Sequence, residues 1–162
     1  MSRQYRLHFI VLVLIIFTVM SGCGKSEKQK PADLPELIPC EITVKMDGVP
    51  LSGATVRLQS ASSIPSATTW TVLGTTNESG VAKMQTYGDF IGAPEGEYIV
   101  LISKSQVQVA PPDATETEMA RINYLPPIVI VDPSFGNPAK TKLTITVSGK
   151  GPIRETFEVT GP

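Results

Sequence analysis

The chain has 162 residues, of which 41% are hydrophobic, and its 14 Lys and Arg against 15 Asp and Glu give a formal net charge of −1. This balance argues against a nucleic-acid partner, which calls for a basic patch or stripe. The chain holds one histidine, His8, and two cysteines. His8 lies in an N-terminal segment that we predict to be removed. Without it the mature chain has no imidazole for Ser-His-Asp or Cys-His catalysis, and the usual His and paired Cys ligands of zinc are missing.

Residues 1–22 have the proportions of a secretory signal peptide. Arg3 and Arg6 precede an apolar run from Phe9 to Met20, which is shorter than the roughly 20 residues that a membrane-spanning helix needs. The run ends in Ser21-Gly22-Cys23, which resembles the lipobox of bacterial lipoproteins, although Met20 stands where that family usually has Leu. The resemblance implies cleavage before Cys23 and acylation of its thiol.

Lipidation of Cys23 would place the protein in the bacterial cell envelope, on the periplasmic or outer-membrane side, with the membrane as a partner. Each buried CH₂ of an acyl chain contributes about 0.8 kcal/mol of membrane affinity. Two other interpretations stay open: a secretory signal that is cut elsewhere, and an uncleaved anchor. Removing residues 1–22 takes away Arg3, Arg6 and His8, so the mature chain carries a formal net charge of −3 and no histidine.

Residues 23–37 are polar and contain Pro31 and Pro35. Such a composition cannot build a core and predicts a flexible linker behind the lipidated cysteine. Residues 38–162 are a normal size for one folded domain.

Strand signals recur along that domain, mostly as alternation of apolar and polar residues. Two of the segments, Tyr98–Ile102 and Ile128–Val131, are apolar throughout, which predicts either central strands covered on both faces or strands in the core of a sandwich. The eight predicted strands are Cys40–Met46, Ala54–Gln59, Trp70–Leu73, Val81–Gln85, Tyr98–Ile102, Ile128–Val131, Leu143–Val147 and Thr156–Thr160.

The segments between these strands favour turns and loops. Asp47-Gly48 predicts a hairpin turn, and Asn77 to Gly80 predicts a four-residue turn. The acidic stretch Asp113 to Glu118 between Pro-Pro pairs predicts a long loop, and no segment shows a helical period. Many short strands separated by Gly and Pro turns predict an all-β fold, a β-sandwich of seven to eight strands.

Two residues of the predicted strands have more than one interpretation. Cys40 is in phase with Ile42 and Val44, so we expect it to pack inward as a small hydrophobe; a reactive thiol or an intermolecular disulfide are the alternatives. Trp70 is in phase with Val72, which favours the core. If it is partly exposed, it is the natural residue to stack on a sugar ring or to anchor a partner.

Carboxylates are the remaining candidates for chemistry. Glu95 and Glu97 occupy alternate positions at the start of a strand, so they could face one side. A glycosidase needs two carboxylates across a sugar-binding cleft, but nothing indicates an aromatic-lined cleft. Asp113, Glu116 and Glu118 offer oxygen ligands to Ca²⁺ without the glycine-punctuated loop of a known site. We therefore expect no enzyme activity, no cofactor and no metal.

Three motifs, in this order and spacing, resemble carboxypeptidase regulatory-like domains. They are Gly48-Val-Pro50-Leu-Ser-Gly53-Ala54-Thr-Val56, Thr75-Thr-Asn77-Glu-Ser-Gly80 and Pro94-Glu-Gly96-Glu-Tyr98-Ile-Val100. The resemblance covers about residues 38–104 and implies a transthyretin-like (prealbumin-like) Greek-key sandwich. In that family the sandwich accompanies a catalytic domain, so the resemblance implies no peptidase activity.

These features together predict a lipid-anchored envelope module without catalytic activity. We expect it to bind envelope proteins or surface polymers, or to serve as a structural component. The alternative is a carbohydrate-binding module that serves an envelope enzyme, with Trp70 in its site.

Overall fold

The computed structural model describes residues 30–61, 70–149 and 151–162. The predicted signal peptide, Cys23 and the first part of the predicted linker lie outside the described residues. Within them are an α-helix, α1 (Glu116–Asn123), and a 3₁₀ helix (Pro133–Gly136). The strands of the described residues are β1 (Leu37–Ile38), β2 (Cys40–Met46), β3 (Val49–Pro50), β4 (Thr55–Ser60), β5 (Val72–Thr75), β6 (Val81–Lys83), β7 (Gln85–Thr86), β8 (Phe90–Ile91), β9 (Ala93–Pro94), β10 (Gly96–Ser103), β11 (Ser105–Gln106), β12 (Ile128–Val129), β13 (Thr144–Val147) and β14 (Ile153–Val159).

Two main sheets contain most of these strands. The larger sheet is antiparallel throughout, in the order β13-β10-β4-β5-β7-β8. In the smaller sheet β2 pairs with β14 on one side and with β3 and β6 on the other. The β14–β2 pair is parallel, and β1–β9 and β11–β12 form two-stranded sheets. The predicted all-β sandwich is confirmed, and one predicted strand, Val81–Gln85, is divided into β6 and β7.

The core lies between the two main sheets because alternate residues of each strand turn their side chains inward. Burial follows period 2 in β2, where Cys40, Ile42 and Val44 are buried. Each fully buried aliphatic side chain contributes about 1.5–3 kcal/mol. The larger sheet contributes to the same cluster Val56, Leu58, Val72, Val100, Ile102, Ile145 and Val147. In the part of the chain that the structure describes, no helix is long and apolar enough to span a membrane.

The predicted strand Val81–Gln85 changes sheet at Met84. β6 pairs with β2 in the smaller sheet, whereas β7 pairs with β5 in the larger one. Met84 is fully buried between them, its N–H donating to the Cys40 carbonyl at 2.9 Å and its own carbonyl accepting from Gly92 N at 2.8 Å. Ala82 and Met84 both point inward, as the sequence predicts.

Both predicted turns are present. Asp47 and Gly48 have φ of 53° and 78°, which suits the two-residue hairpin between β2 and β3. In the second turn Asn77 Oδ1 accepts from the N–H groups of Ser79 and Val81, both at 3.0 Å. Gly80, with φ of 73°, closes that turn.

Thr76 joins two of the motifs that carry the family resemblance. Its hydroxyl donates to the Leu51 carbonyl at 2.6 Å and accepts from Ala54 N at 2.8 Å. Its backbone completes the contact, since Gly53 N donates to the Thr76 carbonyl and Thr76 N donates to the Ala54 carbonyl, both at 2.9 Å. The buried Thr76, which directly follows β5, thus supplies hydrogen-bond partners to the backbone groups of the turn that precedes β4.

Two sequence expectations for residues 111–131 are wrong. The acidic stretch is not part of a helix-free loop, because α1 occupies Glu116–Asn123. Ile128–Val131 is not a strand covered on both faces: β12 contains only Ile128 and Val129, both exposed, and only Val131 of the run is buried. An apolar run alone does not separate a core strand from an exposed one.

Packing in the N-terminal part begins before the predicted boundary at residue 38. Leu34 is buried, and its N–H donates to the Pro31 carbonyl at 3.1 Å. Leu37 pairs with Pro94. Residues Pro31–Pro162 form one compact unit.

Candidate functional site

Residues 105–129 leave the sandwich and return to it as a separate excursion, which we call the arm. At its base Ser105 pairs with Val129 in the β11–β12 ribbon. The Lys104 carbonyl accepts from Ile130 N at 2.9 Å, where the chain re-enters the sandwich. Further out, Gln108 Nε2 donates to the Pro126 carbonyl at 2.9 Å. This strand pairing and these hydrogen bonds hold the two sides of the arm together.

Helix α1 lies in the arm and is fixed by a capping box. The Thr115 hydroxyl accepts from Glu118 N at 3.3 Å, and the Glu118 carboxylate accepts from Thr115 N at 2.9 Å and from the Thr115 hydroxyl at 2.8 Å. This arrangement satisfies helix N–H groups that have no partner within the helix. The backbone and side-chain hydrogen bonds from Thr115 lower the pKa of Glu118. None of the helix residues is buried.

The arm carries most of the exposed large apolar side chains of the described residues. Tyr124 is 90% exposed and Val109 is 83% exposed. The other members of this set on the arm are Val107, Met119, Leu125, Ile128 and Val129, whereas the rest of the described chain contributes Val49, Leu73, Tyr87 and Ile91. Clustered exposure of this kind marks interaction surfaces, whereas scattered single residues need no explanation.

A groove of about 520 Å³ runs along the base of the arm. Its charged groups include Lys104 and Asp132, both partly buried. The Asp132 carboxylate accepts from Ser134 N at 2.7 Å, and this bond, with a smaller contribution from Lys140, lowers the pKa of Asp132. The lining residues are Ile102, Ser103, Lys104, Ser105, Val129, Val131, Asp132, Pro133, Gly136, Asn137 and Pro138. The groove and the arm are therefore continuous through Ser105 and Val129.

Trp70 and Tyr87, which are not part of the arm, form an aromatic pair. Their ring centroids lie 5.5 Å apart, with the planes at 62° in an edge-on arrangement. Trp70 is half-buried rather than part of the core, and it precedes β5, which begins at Val72. Tyr87 is 62% exposed, its N–H donates to the Thr71 carbonyl at 3.1 Å, and its φ of 60° is unusual for a bulky residue.

Cys40 is a buried free thiol. It is 2% exposed, and burial raises its pKa to about 11, with Glu155 and Glu41 adding to the shift in that order. A thiol that is protonated and enclosed is inert as a nucleophile. The prediction that Cys40 packs inward is confirmed.

The residues singled out from the sequence also include Cys23 and the acidic side chains of the arm. Cys23 lies outside the described residues, so its lipidation stays a prediction. The Glu118 carboxylate is engaged by Thr115. No group of three or more His, Cys, Asp or Glu side chains in the described ranges is placed to hold a metal ion. The sequence analysis did not predict the arm. The available signal was the spacing of Thr115 and Glu118, three residues apart and ahead of the apolar Met119 and Ile122, which is typical of a capping box at a helix start.

No family model matches the sequence, and no curated protein matches it. Two solved structures of BcpA, the major pilin subunit of Bacillus cereus, one of them a variant, are similar to it, with 18% and 16% identity and a TM-score of 0.42 in each. They cover 79% and 78% of this chain, which spans only 31% and 30% of the pilin chains. Membership of the carboxypeptidase regulatory-like family stays a prediction.

Proposed function

We propose that this protein is a lipid-anchored module of the bacterial cell envelope that binds an envelope protein through its arm. It acts without catalysis, as a binding or structural component. The observation that carries this proposal is the cluster of exposed apolar side chains on residues 105–129. Leaving this much apolar surface in water forgoes about 25 cal/mol for each Å² that a partner would cover.

The construction of the arm supports a binding role. An arm without buried helix residues gains little from packing, yet its ribbon, the Gln108–Pro126 hydrogen bond and the capping box all maintain its shape. A preformed segment loses less conformational entropy on binding than a disordered one. Tyr124, with an apolar ring and a polar hydroxyl, is of the residue type that most often dominates interfaces.

The envelope location is supported by the signal-like residues 1–22 and the small residues before Cys23. Metabolic labelling with an alkyne fatty acid tests it, with Cys23→Ser as the control. Label on the wild-type chain and none on C23S supports the anchor. Equal labelling of the two chains, or none on either, contradicts it.

The binding role is tested by site-specific photocrosslinking in intact cells. Benzoylphenylalanine replaces Val109 or Tyr124 on the arm, and Val49, 65% exposed on the β2–β3 hairpin, as the matched control. We expect both arm positions to yield the same protein adduct and the Val49 position to yield none. Absence of a shared adduct at the two arm positions contradicts the proposal.

The alternative function, a carbohydrate-binding module that serves an envelope enzyme, is supported by the Trp70–Tyr87 pair. Tyr87 is held at a positive φ, which costs a non-glycine residue about 1–2 kcal/mol, and its ring is largely exposed. This φ belongs to the Tyr87-Gly88 turn between β7 and β8, which presents the exposed tyrosine ring beside Trp70.

Fluorescence distinguishes the two functions, because Trp70 is the sole tryptophan. A saturable change in its emission with one polysaccharide, lost in Tyr87→Ala but kept in Tyr124→Ala, favours the carbohydrate module. Unchanged emission with every cell-wall polysaccharide tried excludes Trp70 as a sugar platform.

A further inference from the structure

The longest open sheet edge in the described residues belongs to β14. Its seven residues pair with β2 on one side, and no described strand lies on the other. Four of its residues, Arg154, Glu155, Thr156 and Glu158, are exposed. An unpaired edge presents backbone N–H and C=O groups that can pair with another chain.

The phase of the β14–β2 ladder decides which groups face outward. Ile153 N donates to the Pro39 carbonyl at 2.8 Å, so the odd-numbered residues of β14 direct their backbone groups toward β2. Peptide groups alternate in direction along a strand. The N–H and C=O groups of Arg154, Thr156 and Glu158 therefore point away from the sheet.

Both ends of this free edge are defined. Before β14 stands Pro152, which has no N–H to donate. After it, the Thr160 carbonyl accepts from Asp132 N at 2.9 Å, so that outward-pointing group is already paired. The open edge is thus confined to β14 and centred on Thr156.

We propose that two copies of this chain associate by antiparallel pairing of their β14 edges about a two-fold axis at Thr156. In this register Thr156 faces its own copy, and Arg154 of each chain faces Glu158 of the other. All three are outward-pointing residues, so each facing pair exchanges two backbone hydrogen bonds. The inference is independent of the proposed function of the arm.

Charge complementarity selects this register. Both charged residues already have a partner in their own sheet: Arg154 Nε lies 3.0 Å from Glu41 Oε2, and Glu158 Oε1 accepts a hydrogen bond from Gly48 N at 2.5 Å. The Arg154 side chain remains 73% exposed, and a guanidinium has further N–H donors beyond the one at Nε. Opposite charges in facing positions stabilise a strand pair, whereas like charges destabilise it. A shift of two residues in the register would place Glu158 opposite Thr156 and leave Arg154 unpaired.

The same edge limits the strength of association. Glu155 lies on the other face of β14, where the two copies would bring their Glu155 carboxylates to diagonal positions. A strand pair of this length alone falls short of the roughly 1,000 Å² that stable interfaces bury. We therefore expect a weak dimer that cysteine trapping can detect.

The test uses single cysteine variants of the full chain, oxidised with copper phenanthroline in intact producing cells. Facing residues in a hydrogen-bonded pair have Cα atoms about 5.5 Å apart, within the range of a disulfide. Thr156→Cys should give a covalent dimer above the background of the wild-type chain, in which Cys40 is buried. Arg154→Cys alone and Glu158→Cys alone should not, since each residue lies about 14 Å from its own copy along the strands.

Coexpression of differently tagged R154C and E158C chains provides the register control. These chains should crosslink to each other and yield the mixed dimer only. Absence of a T156C dimer overturns the proposal. Crosslinking of R154C or E158C to itself as readily as T156C also overturns it, because random collision would then account for the bond.

Discussion

The hydroxyl of Tyr98 donates a hydrogen bond to the carbonyl oxygen of Pro94, four residues earlier, at 2.8 Å. Tyr98 is 7% exposed and Pro94 is also buried. The bond spans the point where the chain leaves β9 and enters β10, the strand that lies between β4 and β13 in the larger sheet. It therefore fixes the corner from which a central strand starts.

Replacing Tyr98 with Phe tests this corner. The change keeps the ring but leaves the Pro94 carbonyl buried without its donor, which should lower the free energy of unfolding by about 1–3 kcal/mol. Urea denaturation measures the effect, and Tyr124→Phe, at a residue that is 90% exposed, is the matched control. Equal stability of the two variants would contradict the role assigned to the hydrogen bond.

Gly80 and Gly48 offer a comparison of two glycines with similar backbone angles, φ of 73° and 78°. An added Cβ at Gly80 would lie 2.7 Å from the Val44 carbonyl oxygen and 3.1 Å from Leu51 N, whereas at Gly48 it would meet nothing within 4 Å. Both Ala variants incur the cost of a left-handed conformation, about 1–2 kcal/mol. Gly80→Ala should cost more than Gly48→Ala in the same unfolding measurement, and the reverse order would contradict the packing described here.

Alkaline pH should destabilise the protein through Cys40. Its folded pKa of about 11 lies above the ordinary value of 9.0, so the thiol favours the folded state fully below pH 9. This contribution decreases as the pH rises toward 11, because the unfolded chain releases the proton first. Burial raises the pKa of Tyr98 as well, which acts in the same direction.

Comparison of the wild type with Cys40→Ala isolates the thiol. The variant should show a smaller loss of unfolding free energy between pH 9 and pH 11, even though its stability at neutral pH is lower because a buried side chain has been shortened. Parallel pH profiles for the two chains would show that Cys40 does not titrate as described.

The capping box makes a local prediction for the arm. Thr115→Ala removes the hydroxyl and should reduce the stability of α1 by about 1 kcal/mol. Because α1 has no buried residues, global unfolding should remain unchanged. Amide hydrogen exchange in α1 and in β10 separates the two effects, and Thr117→Ala, the same change inside the helix, should not weaken α1.

Acid should act on the same helix. The hydrogen bonds from Thr115 lower the pKa of Glu118, so their stabilisation is present above the ordinary carboxyl pKa of 4.5 and is lost as the pH falls through the lower folded value. Exchange protection of the first turn should decrease over that range. Unchanged protection at low pH would mean that the carboxylate does not cap the helix.

The sandwich was largely predictable because its strands bury one face and expose the other. β2 begins and ends at Cys40 and Met46, as the alternation predicts, and the Asp47-Gly48 turn is where the glycine signal indicates. The change of sheet at Met84 could not be predicted, since the side-chain period continues through it without interruption.

The arm escaped prediction for a different reason. Helix α1 is short, and its capping box stabilises it rather than a buried apolar face. Its sequence therefore lacks the apolar periodicity that predicts a helix. Ile128 and Val129 have the composition of a core strand, but their backbone partner is the short β11 at the base of the arm. Trp70 was ambiguous for a related reason, because its phase with Val72 holds only if the strand extends back to residue 70, and β5 begins two residues later.

The parallel pairing of β14 with β2 has a mechanical consequence. Pulling β2 from its N-terminal end and β14 from its C-terminal end loads all seven residue pairs, Ile153–Cys40 to Val159–Met46, in shear at once. Separation then requires the whole ladder to fail together rather than one bond at a time. A chain held at the N-terminal end of β2 and pulled at the C-terminal end of β14 should therefore resist extension. Single-molecule stretching between those two points should give a high rupture force.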